Sequence, residues 1–180
     1  MSPNISPPDL AEQIKSDLRQ PWLKSAKIFG GKSCSITSIG EYYWTWQAGK
    51  GGTYSRQQPD GSATIAIPQS LRSLAIAIAT ESADCPQYNP QIALINVYKG
   101  KQKLNLHQDI DERCDAPVIS LSFNTSGIFT FDRNGKRERV QLDDRDVFIF
   151  GGTDRYMKHG YEGNLDPTST RMNITIRQYC

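Results

Sequence analysis

A chain of 180 residues, 37% hydrophobic and with a formal net charge of +2, can bury a substantial core in one domain and does not have the composition of a disordered protein. So mild a positive balance neither requires nor excludes nucleic acid; what counts is where the cations cluster. No run approaches the length of a membrane span.

Residues 1–8 carry three prolines and read as a frayed terminus. Asp9, with Glu12 three positions on, predicts a capped helix start. Leu10, Ile14 and Leu18 then give one apolar stripe that can dock on a sheet, and Pro21 marks its end. From Gly30 to Tyr54 the texture turns to alternating β-prone residues broken by Gly49, Gly51 and Gly52. Tyr42, Tyr43, Trp44 and Trp46 crowd four aromatic rings into five residues. They either pack on the core or offer a stacking surface to a flat ligand.

A second helix starts at Pro68, with Leu71, Leu74, Ala75 and Ile78 at helical spacing, and ends between Asp84 and Pro90; it reads as scaffold. Beyond Gln91 short strands follow one another over 92–98, 104–109, 118–123, 128–131, 138–142, 147–150, 156–160 and 172–178. Turn signals such as Asn134-Gly135 and Gly151-Gly152 separate them. Two helices followed by many short strands predict a mainly β, α+β fold: an antiparallel jelly roll or barrel with the helices on one face.

The four cysteines, Cys34, Cys85, Cys114 and Cys180, form no C-x-x-C pair. No apolar run ahead of them reads as a secretion signal, so reduced thiols and a cytoplasmic setting are expected.

The chemistry centres on His107 and Asp109. Two residues apart on an extended chain, they point to the same face and bring an imidazole beside a carboxylate. The chain has only two histidines, the other being His159. Two histidines and one acid are what a facial triad for an iron-like ion requires. The last strand alternates strictly: Arg171, Asn173, Thr175 and Arg177 on one face, Met172, Ile174 and Ile176 on the other. The polar face is either a solvated outer surface or, turned into a barrel, an anion site whose guanidiniums suit carboxylates.

The runs H-Q-D-x-D-E at 107–112 and R-x-N-x-T-x-R at 171–177, with softer matches at Asn96-Val97-Tyr98, 128–131, 146–152 and His159-Gly160, closely resemble the AlkB family of nucleic-acid dealkylases over residues 30–178. The resemblance implies one dioxygenase domain over 1–180 on a double-stranded β-helix. Residues 30–56 would form a hairpin lid that recognises the nucleotide, and 91–178 the jelly-roll core. It implies Fe(II) bound by His107, Asp109 and His159. It also implies 2-oxoglutarate held by Asn96, Tyr98, Arg171, Asn173 and Arg177, with Arg171 set against the distal carboxylate. For the substrate it points to Trp44 stacking on a flipped base, Asp111 facing a cationic base, and Tyr54, Leu104 and Arg133 nearby.

The implied reaction is oxidative removal of N-alkyl groups, as in N1-methyladenine and N3-methylcytosine, from single- or double-stranded DNA or from RNA, by a monomer. Arg133, Lys136, Arg137 and Arg139 gather on the hairpin at Asn134-Gly135, either as phosphate contacts or as a solvated turn. Two other readings stand beside this one: the same core acting on a small metabolite, and a non-catalytic reader of modified nucleic acid.

Overall fold

The computed structural model describes residues 12–14, 16–17, 29–30, 34–47, 51–110 and 114–179. Residues 12–14 and 16–17 are helical. Ile14, from the predicted apolar stripe, is 1% exposed and joins the main core. Asp9, Leu10, Leu18 and Pro21 lie outside the described residues. Helix α1 (Gln69–Ala83) starts after Pro68 and stops at Asp84, whose left-handed backbone (φ 47°) turns its N–H back to the Ala79 carbonyl. It has no side-chain N-cap bond, no acid in its first turn and no base in its last. Its stability therefore comes from packing: Leu71, Ala75 and Ala79, at four-residue spacing, are buried.

The strands form antiparallel sheets. The major sheet runs β1 (Phe29–Gly30), β2 (Ser35–Gly40), β5 (Ile92–Lys99), β12 (Thr170–Arg177), β7 (Val118–Phe123) and β10 (Val147–Phe150). The minor sheet runs β6 (Leu104–His107), β11 (Lys158–Asn164), β8 (Gly127–Arg133) and β9 (Lys136–Leu142). Among the described residues strands β3 (Tyr43–Gln47) and β4 (Gly51–Ser55) pair only with each other. One cavity is lined by side chains of both larger sheets, as in a jelly roll.

The pleat sorts the major sheet into two faces. Ile39, Ala93, Ile95, Ile119, Leu121, Ile174 and Ile176 meet Leu71, Ala75 and Ala79 of the helix in one apolar core. The residues between them, Asn96, Tyr98, Ser120, Arg171, Asn173, Thr175 and Arg177, line the cavity. The oil lies outside the barrel and the polar groups inside.

Four expectations change. The lid expected over 30–56 divides: β2 pairs with β5 from Ser35↔Val97 to Gly40↔Ile92 and belongs to the major sheet, leaving β3–β4 as the hairpin. That pairing is non-local, which a short β-prone run does not announce. Strand β6 ends at His107, so Asp109 sits beyond it in irregular backbone. The strand expected at 156–160 begins at Lys158, after a 3-10 turn over Gly152–Tyr156. Cys34 and Cys85 are free thiols, but Cys114 is disulfide-bonded, against the expected reduced state. Spacing along the chain gives no sign of a bond that only folding brings together.

Candidate active site

Antiparallel pairing of β6 and β11 sets His107 directly opposite His159, with ring centroids 4.5 Å apart. Gly160 permits this closeness, since a Cβ there would stand 2.7 Å from the Leu104 carbonyl oxygen. Asp109 turns back from beyond the strand end. Its Oδ1 is 3.6 Å from His107 Nε2 and its Oδ2 3.4 Å from His159 Nε2. Ligand atoms of the three residues all lie within 4.8 Å of one another.

Each imidazole is fixed from behind. His107 Nδ1 lies 2.9 Å from the Asn105 carbonyl and His159 Nδ1 3.1 Å from the Met157 carbonyl. A carbonyl can only accept, so Nδ1 carries the proton and the Nε2 lone pair faces the centre. Burial alone would raise the Asp109 carboxyl, but Arg177, His107 and His159 outweigh it and hold it well below the usual carboxylate range. It is ready as an anionic ligand.

The polar face of β12 meets this centre. Arg177 Nη2 is 2.7 Å from Asp109 Oδ2. Arg171 donates from Nη2 to Ser122 Oγ at 2.7 Å and lies over the Tyr161 ring at 4.7 Å. Asn173 donates to Ser120 Oγ and to the Leu121 carbonyl, at 2.8 and 3.0 Å. Asn96 and Tyr98 bring β5 to the same cavity. Burial pushes the Tyr161 phenol up to about 12 and raises Tyr98 as well, so both remain protonated at neutral pH.

The family model described as the 2OG-Fe(II) oxygenase superfamily matches residues 1–177. "Alpha-ketoglutarate-dependent dioxygenase AlkB" of Escherichia coli (strain K12) is 35% identical over 184 residues, covering 93% of this chain and 84% of its own. The chain belongs to the AlkB family. "DNA N(6)-methyladenine demethylase ALKBH1C" of Arabidopsis thaliana is 30% identical over 161 residues, 70% of this chain and 35% of its own. The solved structure of OsALKBH1 superposes with a TM-score of 0.74 at 24% identity, covering 97% of this chain and 93% of that one. This likeness supports the jelly-roll fold.

As an AlkB-family member the protein is an Fe(II)- and 2-oxoglutarate-dependent dioxygenase, and its own residues fit both groups. Two imidazoles and a carboxylate, with open positions left, are the donor set for a non-haem Fe(II). For the dicarboxylate, Arg171 Nε and Thr175 Oγ1 are buried in the cavity wall with no hydrogen-bond partner among the described residues. A buried donor left so costs about 1–3 kcal/mol, which an acid oxygen would recover. Charge agrees as well. Among the described residues the arginines 155, 171 and 177 are buried against a single buried carboxylate, Asp109, an excess that a dianion offsets.

Arg155 is a residue that sequence reasoning missed. It is 1% exposed on the 3-10 turn, with Nη1 3.6 Å from Asp109 Oδ2. A basic residue between Asp154 and Tyr156 reads as surface loop, and nothing in its spacing marks it.

The expected substrate residues scatter more. Leu104 lines the cavity. Trp44 is half-buried on the hairpin opposite Tyr54, and Tyr54 rests on Tyr179 with centroids 5.2 Å apart. The aromatic run splits between its two expected fates, Tyr43 being 1% and Trp46 60% exposed. Arg133 is ion-paired to Asp154 at 3.0 Å. Asp111 lies outside the described residues.

Proposed function

We propose that this chain oxidatively dealkylates N-alkylated bases, N1-methyladenine and N3-methylcytosine among them, in single- or double-stranded DNA, with RNA as the alternative polymer. The observation that carries the reading is a single one. His107, Asp109 and His159 converge beside a cavity that the arginine face of β12 also lines, with Arg177 Nη2 2.7 Å from Asp109 Oδ2. In this reading the triad holds the iron. Asn96, Tyr98, Arg171, Asn173 and Arg177 hold 2-oxoglutarate, with Arg171, whose Nε has no partner among the described residues, against the distal carboxylate.

Bound together, iron, 2-oxoglutarate and O2 would supply the oxidising chemistry: one oxygen atom of O2 ends in succinate as 2-oxoglutarate loses CO2, and the other hydroxylates the N-alkyl carbon, which leaves as an aldehyde. The protein's residues orient and recognise. The Asn105 and Met157 carbonyls keep both imidazoles in the ligating tautomer. Phe129 and Phe150 shield His159 at centroid distances of 5.7 and 5.2 Å, keeping water from one side of the centre.

A base inside a duplex must be flipped out, at roughly a few kcal/mol. Stacking on Trp44 can return about 1–3 kcal/mol of that. Leu104 gives an apolar wall, Asp111 a negative charge suited to a cationic alkylated base, and Tyr54 and Arg133 flank it. The protein acts as a monomer in the cytoplasm in this reading.

The test is incubation with Fe(II), 2-oxoglutarate and an oligonucleotide carrying N1-methyladenine, following succinate and restored adenine. Repair coupled to succinate is expected. Succinate without repair, across a panel of alkylated oligonucleotides, would move the assignment to a small metabolite. Neither product, with iron bound, would make the protein a reader of modified nucleic acid.

A further inference from the structure

Among the described residues hairpin β3–β4 shares no strand pairing with either larger sheet, and a two-stranded hairpin is marginally stable by itself. Something outside it must set its position. Next to the chain's last residue, the ring of Tyr179 stands 4.7 Å from Tyr42 and 5.2 Å from Tyr54, tilted at 49° and 53°. Such tilted pairs are favourable arrangements of aromatic quadrupoles. Tyr42 leads into β3 and Tyr54 lies in β4, directly across from Trp44. The ring therefore touches the residue that leads into β3 and a residue of β4, the second being the cross-strand partner of Trp44.

The backbone beneath this ring is anchored as well. Tyr179 N–H donates to Gln91 Oε1 at 2.9 Å, and Asn89 N–H donates to Gln178 Oε1 at 2.9 Å. Gln91 uses its remaining groups to bind the root of the hairpin to the end of β12. Its Nε2 donates to Glu41 Oε2 at 3.1 Å. Its carbonyl accepts from Glu41 N–H at 2.8 Å and its own N–H donates to the Arg177 carbonyl at 3.0 Å. Residues 178 and 179 are thus tied on one side to the strand that faces the cavity and on the other to the hairpin.

We propose that Tyr179 is a positioning residue for substrate: through Tyr42 and Tyr54 it seats the hairpin so that Trp44 stands ready to stack on the base. The proposal rests on the reading of that hairpin as the base-recognition element. It separates two properties that a merely structural residue would change together, nucleic-acid affinity and the oxidative centre.

The full chain is compared with Tyr179→Ala and Tyr179→Phe, using a fluorescent oligonucleotide that carries N1-methyladenine. Anisotropy gives its affinity, and steady-state assays give KM for the oligonucleotide, KM for 2-oxoglutarate and kcat. Tyr179→Ala is expected to weaken oligonucleotide binding and raise its KM about tenfold, the effect of losing two aromatic pairs. Its kcat and its KM for 2-oxoglutarate stay at the wild-type values. Tyr179→Phe, which keeps the ring, restores wild-type affinity.

Wild-type oligonucleotide KM in Tyr179→Ala overturns the proposal, and so does a loss spread over kcat and the KM for 2-oxoglutarate. If the unsubstituted chain dealkylates no oligonucleotide, the functional reading itself falls. That result is distinct from a wild type that repairs and an alanine variant that matches it.

Discussion

On strand β12, Ile174 and Ile176 face the helix layer while Arg171, Asn173 and Arg177 face the cavity, and none of the five is more than 7% exposed. The two faces are buried alike, yet their energetics oppose. Taking an isoleucine side chain out of water contributes about 1.5–3 kcal/mol. Taking a guanidinium out costs several kcal/mol unless partners compensate it. The outer face of the sheet thus holds the fold together, and the inner face is retained at some cost to stability for what it binds. Substitutions inside should remove chemistry and leave the fold, and substitutions outside should do the reverse.

The largest expected effect is inside. His107→Ala removes one of the three converging ligands and should abolish both succinate formation and repair, with a thermal midpoint close to wild type. Retained turnover would refute the triad. Next comes Arg171→Met, which takes away the guanidinium beside the cavity and leaves a long, unbranched apolar side chain. A lost buried, charge-assisted contact to a carboxylate should raise KM for 2-oxoglutarate on the order of a thousandfold. Because the replaced charge is costly to bury, the thermal midpoint should hold or rise. A marked drop would break the contrast between the faces.

Outside, Ile174→Ala should lose about 3 kcal/mol in denaturant unfolding, since it both removes apolar contact and leaves a cavity against α1. The molecules that remain folded should turn over at the wild-type rate. A fall in kcat per folded molecule would mean that the two faces are mechanically coupled.

How much of this was legible follows the same division. The alternation of β12 and the spacing of Leu71 and Ala75 in α1 were readable because a local period records which side is buried. The centre was readable because histidine is scarce and the motifs at 107–112 and 171–177 are specific. Asp109 departs from the shared strand face that its spacing predicts: the carboxylate reaches the histidines from irregular backbone beyond β6. Arg155 beside Asp109 and the pairing of β2 with β5 stay hidden, because each is defined by residues distant in sequence, and no spacing announces the Cys114 disulfide. Nothing local encodes them.

The smallest expected effect concerns the hairpin joining β8 and β9, where the same rule of compensated and uncompensated charge operates on the surface. In sequence its four cations form one cluster, from which the family resemblance singles out Arg133 alone. In the fold Arg133 is ion-paired to Asp154 at 3.0 Å and Arg139 to Glu162 at 2.6 Å. Lys136 and Arg137 are exposed and make no ion pair among the described residues. A cation with a fixed carboxylate beside it has less net charge to offer a phosphate, and it displaces fewer counterions when nucleic acid arrives. Replacing Lys136 and Arg137 together by alanine should reduce the slope of log affinity against log salt by roughly 1.5 to 2, with affinity falling alike for every sequence. Arg139→Ala, which removes an already neutralised charge, should leave the slope nearly unchanged. Oligonucleotide binding across a salt series measures both. An equal change from the paired and the unpaired cations would mean that Glu162 releases Arg139 on binding; no change from either would place the phosphates elsewhere on the surface.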